Sequence, residues 1–152
     1  MALTLALFQP DIPQNCGTML RMCACLGVKA AIIEPAGFPV SDRNFRRAGM
    51  DYLDEVEIAR HASWAAFEAE RAKTGQRLVL LTTKSAQPYT SFAFKPDDIL
   101  MVGRESAGAP DEVHNAADAR LIIPMKPHLR SLNVAVSAAM VLGEALRQTT
   151  NS

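Results

Sequence analysis

The sequence predicts an α/β domain: a mostly parallel sheet with helices on both faces. Short apolar runs alternate with helix-period segments along the 152 residues, the pattern of strands joined by helical crossovers. The runs 77–83 (RLVLLTT), 98–103 (DILMVG) and 120–124 (RLIIP) are nearly continuous in apolar residues, as strands buried on both faces are. No linker, repeat or low-complexity tract divides residues 1–152. They read as a single domain, of a size that buries about 70% of the unfolded surface.

Taken in order, residues 3–8 (LTLALF) end at Gln9-Pro10 and suit a buried first strand. Pro10 and Pro13 hold the following loop, and Asn15 is placed to cap a helix reaching Leu26. Gly27 stands where a left-handed C-terminal residue belongs. Residues 28–34 (VKAAIIE) form a second strand, closed by Pro35, Gly37 and Pro39. Ser41-Asp42 opens a short helix that Gly49 ends, and 55–59 (EVEIA) alternates like an edge strand. Ser63 caps the helix WAAFEAERAK, which stops at Gly75. After the three apolar strands, a last helix spans 132–148. Its stretch VAVSAAMVLGEAL is apolar or small nearly all the way round, and a helix without a wet face in so short a chain points to a partner subunit.

Composition excludes several classes. No stretch approaches the roughly 20 apolar residues that cross a bilayer, and MALTLALFQPDIP lacks the basic start of a signal peptide. A cytoplasmic protein that does not bind membranes is the expectation. Cys16, Cys23 and Cys25 have neither redox nor zinc spacing, so they read as buried free thiols, and no metal is expected. Sixteen basic side chains balance 16 acidic ones, which argues against a non-specific nucleic-acid coater. Local basic clusters remain: Arg43, Arg46 and Arg47; Arg60 with His61; and Lys126, His128 and Arg130. Each is either an RNA contact or simply solvated surface.

Ligands of open α/β sheets gather at the carboxyl ends of strands. Three polar loops follow strands here, at 9–21, 103–110 and 124–133. The middle one has Gly103 and Gly108 at phosphate-loop spacing, but Ala109-Pro110 stands where Lys and Ser/Thr belong. Gly-x-Gly-x-x-Gly is absent too, which leaves glycines that bring bare backbone close to an adenosine. Ser131 and Asn133 sit at the last helix start, where free N–H groups collect; spacing alone also allows both to be simple caps.

Together IPQNCGTMLRMCACLG, LMVGRESAGAP and IPMKPHLRSLNVAVSAAM resemble, in order, the three signature motifs of the SPOUT methyltransferases. The similarity is greatest to the minimal branch that methylates the ribose of the tRNA wobble nucleotide. IEPAGFPVSDRNFRRAGMDYLDEVEIARH and LTTK resemble that branch too, so the likeness covers residues 3–148. It implies a deep C-terminal trefoil knot, a homodimer and S-adenosylmethionine held in the knot loops. By match to the motifs, Leu81, Gly103, Ile123 and Ser131 line the cofactor pocket. Asn15, Arg21, Glu105 and Asn133 fall on the polar positions around the reaction centre. Arg104 stands where relatives often have Pro, Ala109 replaces a larger aliphatic residue, and Leu132 replaces Met.

The resemblance further implies a tRNA substrate met at its anticodon loop, with Arg43, Arg46, Arg47, Lys126 and Arg130 as RNA contacts and no role for DNA. Methyl transfer from a sulfonium needs alignment and removal of the 2′-hydroxyl proton. His61, His114 and His128 lie outside the matched positions, which leaves the base unassigned. Arginine stays protonated below a pKa of about 12, so Arg21 is expected on the exposed side of its helix as a phosphate clamp. Glu105 either serves the reaction centre or pairs with a loop arginine. Two rival readings stand beside this one: a 2′-O-methyltransferase of another tRNA position or of rRNA, and a SPOUT-like RNA-binding protein without catalysis.

Overall fold

A computed structural model describes residues 2–47, 50, 52–84, 87–129 and 132–150. Strand β1 (Thr4–Phe8) lies in the interior of the sheet, and every residue from Leu5 to Phe8 is apolar and buried. Helix α1 (Pro13–Leu26), β2 (Lys29–Ile33), α2 (Asp42–Arg47), β3 (Ile58–His61) and α3 (Trp64–Thr74) follow. The second half runs β4 (Leu78–Leu81), β5 (Gln87–Pro88), β6 (Ile99–Val102), α4 (Asp111–Ala116), β7 (Ala119–Ile122) and α5 (Val134–Thr149). The seven strands are ordered β3-β2-β1-β6-β4-β7-β5, and every pair is parallel.

Alternation along β1 assigns the two layers of helices. Leu5 and Leu7 face a core built from α1 (Cys16, Met19, Leu20, Cys23) and α5 (Ala135, Ala138, Val141, Leu142, Ala145). Ala6 and Phe8 face the opposite core, with Phe67 of α3 and Val113 of α4. The expected α/β architecture with helices on both faces is therefore present. From β1 the chain runs outward through β2 to β3, then returns to fill the other half of the sheet. The switch point lies between β1 and β6, which pair from Thr4↔Ile99 to Leu7↔Val102.

Several elements match the sequence in chemical detail. Gly27 ends α1 at φ 69° and Gly75 ends α3 at φ 70°. The Ser63 side chain accepts from the Ala66 amide, and Ser41 Oγ accepts from the Asn44 amide at 3.1 Å. β3 is an edge strand. Others need correction. α1 starts two residues before Asn15, with Ile12 at the cap and Pro13 in the first turn; proline's fixed φ starts a helix without a side-chain cap. The strand expected at 55–59 begins only at Ile58, because Leu53–Glu55 is a 3₁₀ turn. α4 and β5 were not anticipated. Cys25 is exposed, unlike Cys16 and Cys23. Gly49, the expected end of α2, lies outside the described residues.

One buried ion pair ties the amino end of the sheet. Asp98 is 1% exposed and accepts from Arg77 at 2.6 and 2.8 Å and from the Lys95 amide at 2.8 Å. Asp98→Ala should lower unfolding free energy by about 2–4 kcal/mol, since it orphans a charged donor and a backbone amide. Urea denaturation measures this, and a loss under about 0.5 kcal/mol, the scale of ordinary surface substitutions, contradicts it.

Candidate active site

The loop after β6 closes on itself. Arg104 and Gly108 form an antiparallel bridge, with Arg104 N donating to Gly108 O at 3.3 Å and Gly108 N to Arg104 O at 2.8 Å. Gly108 has φ +67°, and a Cβ at Gly103 would meet Ala109 N at 2.6 Å and Gly108 C at 2.7 Å. Only glycine allows this closure. The Arg104 side chain fastens the same loop to β1. Its Nε donates to Gly108 O, its Nη1 to Gln9 Oε1 at 3.4 Å, and its guanidinium lies 5.7 Å from the centre of the Phe8 ring.

Beside this loop, at the carboxyl ends of β4, β6 and β7, a cavity of about 240 Å³ opens. Its walls are apolar at Leu81, Val102, Ile123 and Met125, and Thr82, Thr83 and Lys84 supply polar groups. Leu81, Gly103 and Ile123 thus line one cavity. Ser131 lies outside the described residues, as does Arg130. Ala109 is 8% exposed and lines the same cavity.

Glu105 does not pair with a loop arginine in any described contact; it meets Asp11. The Asp11 amide donates to Glu105 Oε2 at 3.2 Å, and the Glu105 amide donates to Asp11 Oδ1 at 3.1 Å. The Ser106 hydroxyl donates to the other Asp11 oxygen. Glu105 Oε1 is buried and has no hydrogen-bond partner among the described residues. The Glu105 side chain, then the Ser106 hydroxyl and the amides of Glu105 and Ser106, draw Asp11 down to about 2 against an opposing effect of burial. Burial, and then the Asp11 side chain, push Glu105 above the usual carboxylate range.

Asn133 caps α5, accepting from the Ala135 amide at 2.8 Å and the Val136 amide at 3.3 Å. Its Nδ2 donates to Asn15 Oδ1 at 3.1 Å, which joins the first and third loops. The cap reading for Asn133 is therefore correct, yet one half of the same amide remains for Asn15. Leu132 and Val134, on either side of it, line the cavity.

Arg21 is exposed on α1, as expected. It lines a different cavity, of about 640 Å³, and lies 5.5 Å from the centre of the Tyr52 ring. Arg43, Arg46 and Arg47 are exposed on α2, where Arg46 pairs with Asp54 at 2.8 Å. Lys126 is exposed in the loop after β7. Sequence reasoning missed Asp11 and the cavity-lining His114, which burial, Lys84 and Arg120 hold below the usual imidazole range. Pro110 followed by Asp111 and Glu112 was the readable start signal for the helix that carries His114. Among the described residues no group of three His, Cys, Asp or Glu could hold a metal.

The model of the SpoU rRNA methylase family matches residues 2–143. The chain belongs to this family. A tRNA (cytidine(34)-2′-O)-methyltransferase of Beijerinckia indica is 74% identical over 144 residues, covering 95% of this chain and 90% of that relative. The protein so named in Escherichia coli K12 is 40% identical, covering 96% and 93%. A structure solved to explain 2′-OH methylation of C/U34 on tRNA superposes with a TM-score of 0.88 at 38% identity, over 97% of this chain and 95% of that one. A SpoU methyltransferase from Streptomyces viridochromogenes, solved with the cofactor AdoMet, has a TM-score of 0.81 at 27% identity. That match covers 97% of this chain and 60% of the other.

The carboxylate pair gives a pH signature. Asp11 titrates at about 2 in the fold against an ordinary 3.8, so it stabilises the fold above the ordinary value and loses that contribution as pH falls towards 2. Asp11→Asn should flatten this acid limb in urea unfolding curves and lower the Glu105 pKa in carboxyl carbon NMR. An unchanged limb together with an unmoved Glu105 contradicts the coupling.

Proposed function

We propose that the chain is an S-adenosylmethionine-dependent methyltransferase that modifies the ribose 2′-oxygen of the wobble nucleotide in tRNA. The supporting observation is the meeting of three loops: the Asn133–Asn15 hydrogen bond and the Asp11–Glu105 exchange stand beside the cavity behind Gly103. The residues fit the cofactor. Leu81, Val102, Ile123 and Met125 offer apolar walls, and the Gly103–Gly108 closure brings bare backbone to the surface. The bound cofactor supplies an activated methyl group, and the reading calls for no metal.

The chain's own residues then have alignment and proton work to do. Arg21 holds a substrate phosphate by a charge-assisted contact, which suits an exposed guanidinium on α1 outside the cofactor cavity. Asn15 and Asn133 orient the ribose from the mouth of the cavity. Glu105 lines the cavity, and its Oε1 is buried without a hydrogen-bond partner among the described residues. It would serve a ribose hydroxyl only once substrate binding opens it; its raised pKa moves the group towards the range of a useful base. Arg43, Arg46, Arg47, Lys126 and Arg130 belong to the RNA face. A nucleotide addressed at its 2′-OH must be accessible, which favours the single-stranded anticodon loop over duplex RNA and excludes DNA, which lacks the hydroxyl.

The reading includes a homodimer through α5. Val136 (49% exposed) and Met140 (39%) leave apolar surface on that helix, with Leu129 and Leu132 nearby in sequence, the kind of patch that marks an interface. Ala138 is buried in the chain's own core and does not belong to that surface. The threaded chain of the resemblance is part of the proposal too. β7 lies between β4 and β5, strands that follow one another in sequence.

Three experiments test this. Wild-type protein should transfer labelled methyl to an anticodon stem-loop and none to the same RNA with a 2′-deoxy target nucleotide; label on the deoxy RNA means a base methyltransferase. Arg21→Ala should keep cofactor affinity by calorimetry while turnover drops by about 10²–10⁴-fold, and a normal rate removes Arg21 from the site. For the dimer, light scattering should find two copies of the wild type and a monomer or aggregates for Met140→Glu. A monomeric, fully active wild type refutes the interface.

A further inference from the structure

The larger cavity has no part in cofactor binding as described above, yet its lining is specific. Phe38, Pro39, Phe45 and Tyr52 form apolar and largely aromatic walls, and Arg21 and Asn44 add polar groups. Tyr52 is fixed in place, its hydroxyl donating to Gly17 O at 2.9 Å and its ring lying under the Arg21 guanidinium. Arg43, Arg46 and Arg47 project from α2, the helix that contributes Asn44 and Phe45 to the wall. The chain as a whole is neutral, so this concentration of arginine is local.

Resting on the functional reading above, we propose that this cavity is a nucleobase subsite. It takes the base of a loop nucleotide next to the methylated one, while the surrounding arginines meet the phosphates. Single-stranded RNA is recognised by stacking splayed bases on aromatic rings and guanidinium planes, with amide groups reading base edges. Arg21, Tyr52, Phe38 and Asn44 supply that set. A cavity for an aliphatic peptide or a second copy of the chain would present Leu, Ile or Val, and the lining contains none.

The spacing agrees. Asp11 touches Glu105 at the cofactor cavity, and Pro13 and Gln14 line the larger one. Asp11 and Ile12 precede the helix, so the three residues from Asp11 to Gln14 span at most about 10 Å, a distance that a nucleotide and its neighbour can bridge. One nucleotide can therefore present its ribose at the first cavity while its neighbour's base enters the second.

The test is a cycle of RNA and protein changes read by equilibrium binding. Anticodon stem-loops with an abasic residue at each loop position in turn are titrated against wild-type protein with cofactor. One position beside the methylated nucleotide should weaken binding by about 5- to 100-fold, the worth of one stacked base. Phe38→Ala should bind the intact RNA more weakly by a similar factor and show no further loss with that abasic RNA, at unchanged cofactor affinity. Asn44→Ala repeats the cycle if Phe38→Ala fails to fold. Uniform affinity across all abasic RNAs with wild-type protein, or a full abasic penalty retained in the variants, overturns the subsite. Methyl transfer is scored separately. The abasic pattern without any transfer overturns the methyltransferase reading and leaves the subsite standing.

Discussion

Asp11 and Glu105 each accept a hydrogen bond from the other's backbone amide, and the rest of the site hangs on that exchange. It clasps the ends of β1 and β6, the two neighbours at which the strand order reverses. Two neighbouring carboxylates repel if both are ionised. Their titrations instead move apart, Asp11 downward and Glu105 upward. Such divergence is the usual outcome where like charges share a site. Arg104 reinforces the clasp through Gln9 and Phe8. The loop behind Gly103 is therefore held against the first strand as well as by its own bridge.

The architecture was legible because burial leaves a plain mark on composition. LALF and ILMV could only be central strands, and Ser63 and Gly75 bounded α3 by capping chemistry. The misreadings share a physical cause, namely local signals overruled by neighbours. Asn15 looks like a cap, but Pro13 starts the helix earlier and frees the Asn15 amide to bond Asn133 from across the fold. In EVEIA the alternation was real, yet only its end reaches Ala30 and Ala31 to pair. A two-residue strand such as β5 has too little pattern to announce itself.

The candidate site was legible only by resemblance, and the reason is chemical. The proposed cofactor wall includes Leu81, Gly103 and Ile123, residue types with no reactive group, which would act through backbone and shape. Glu105 was visible as a residue but its partner was not, because Asp11 lies 94 positions away and only the β1–β6 pairing brings the two together. The large aromatic cavity went unnoticed for the same reason. Phe38, Phe45 and Tyr52 sit in a stretch that reads as loop and short helix, and they converge only when α1 packs beneath them.

The uneven burial of the three cysteines makes the molecule addressable. Burial holds Cys16 and Cys23 at about 12, far from the thiolate that alkylating reagents require. Cys25 is exposed, and it follows Arg21 by four positions, one turn along the same face of α1. The native chain therefore carries a single accessible attachment point about 6 Å from its proposed phosphate contact, by the helical rise. A fluorophore or spin label placed there would report docking of a nucleic acid without any engineered cysteine.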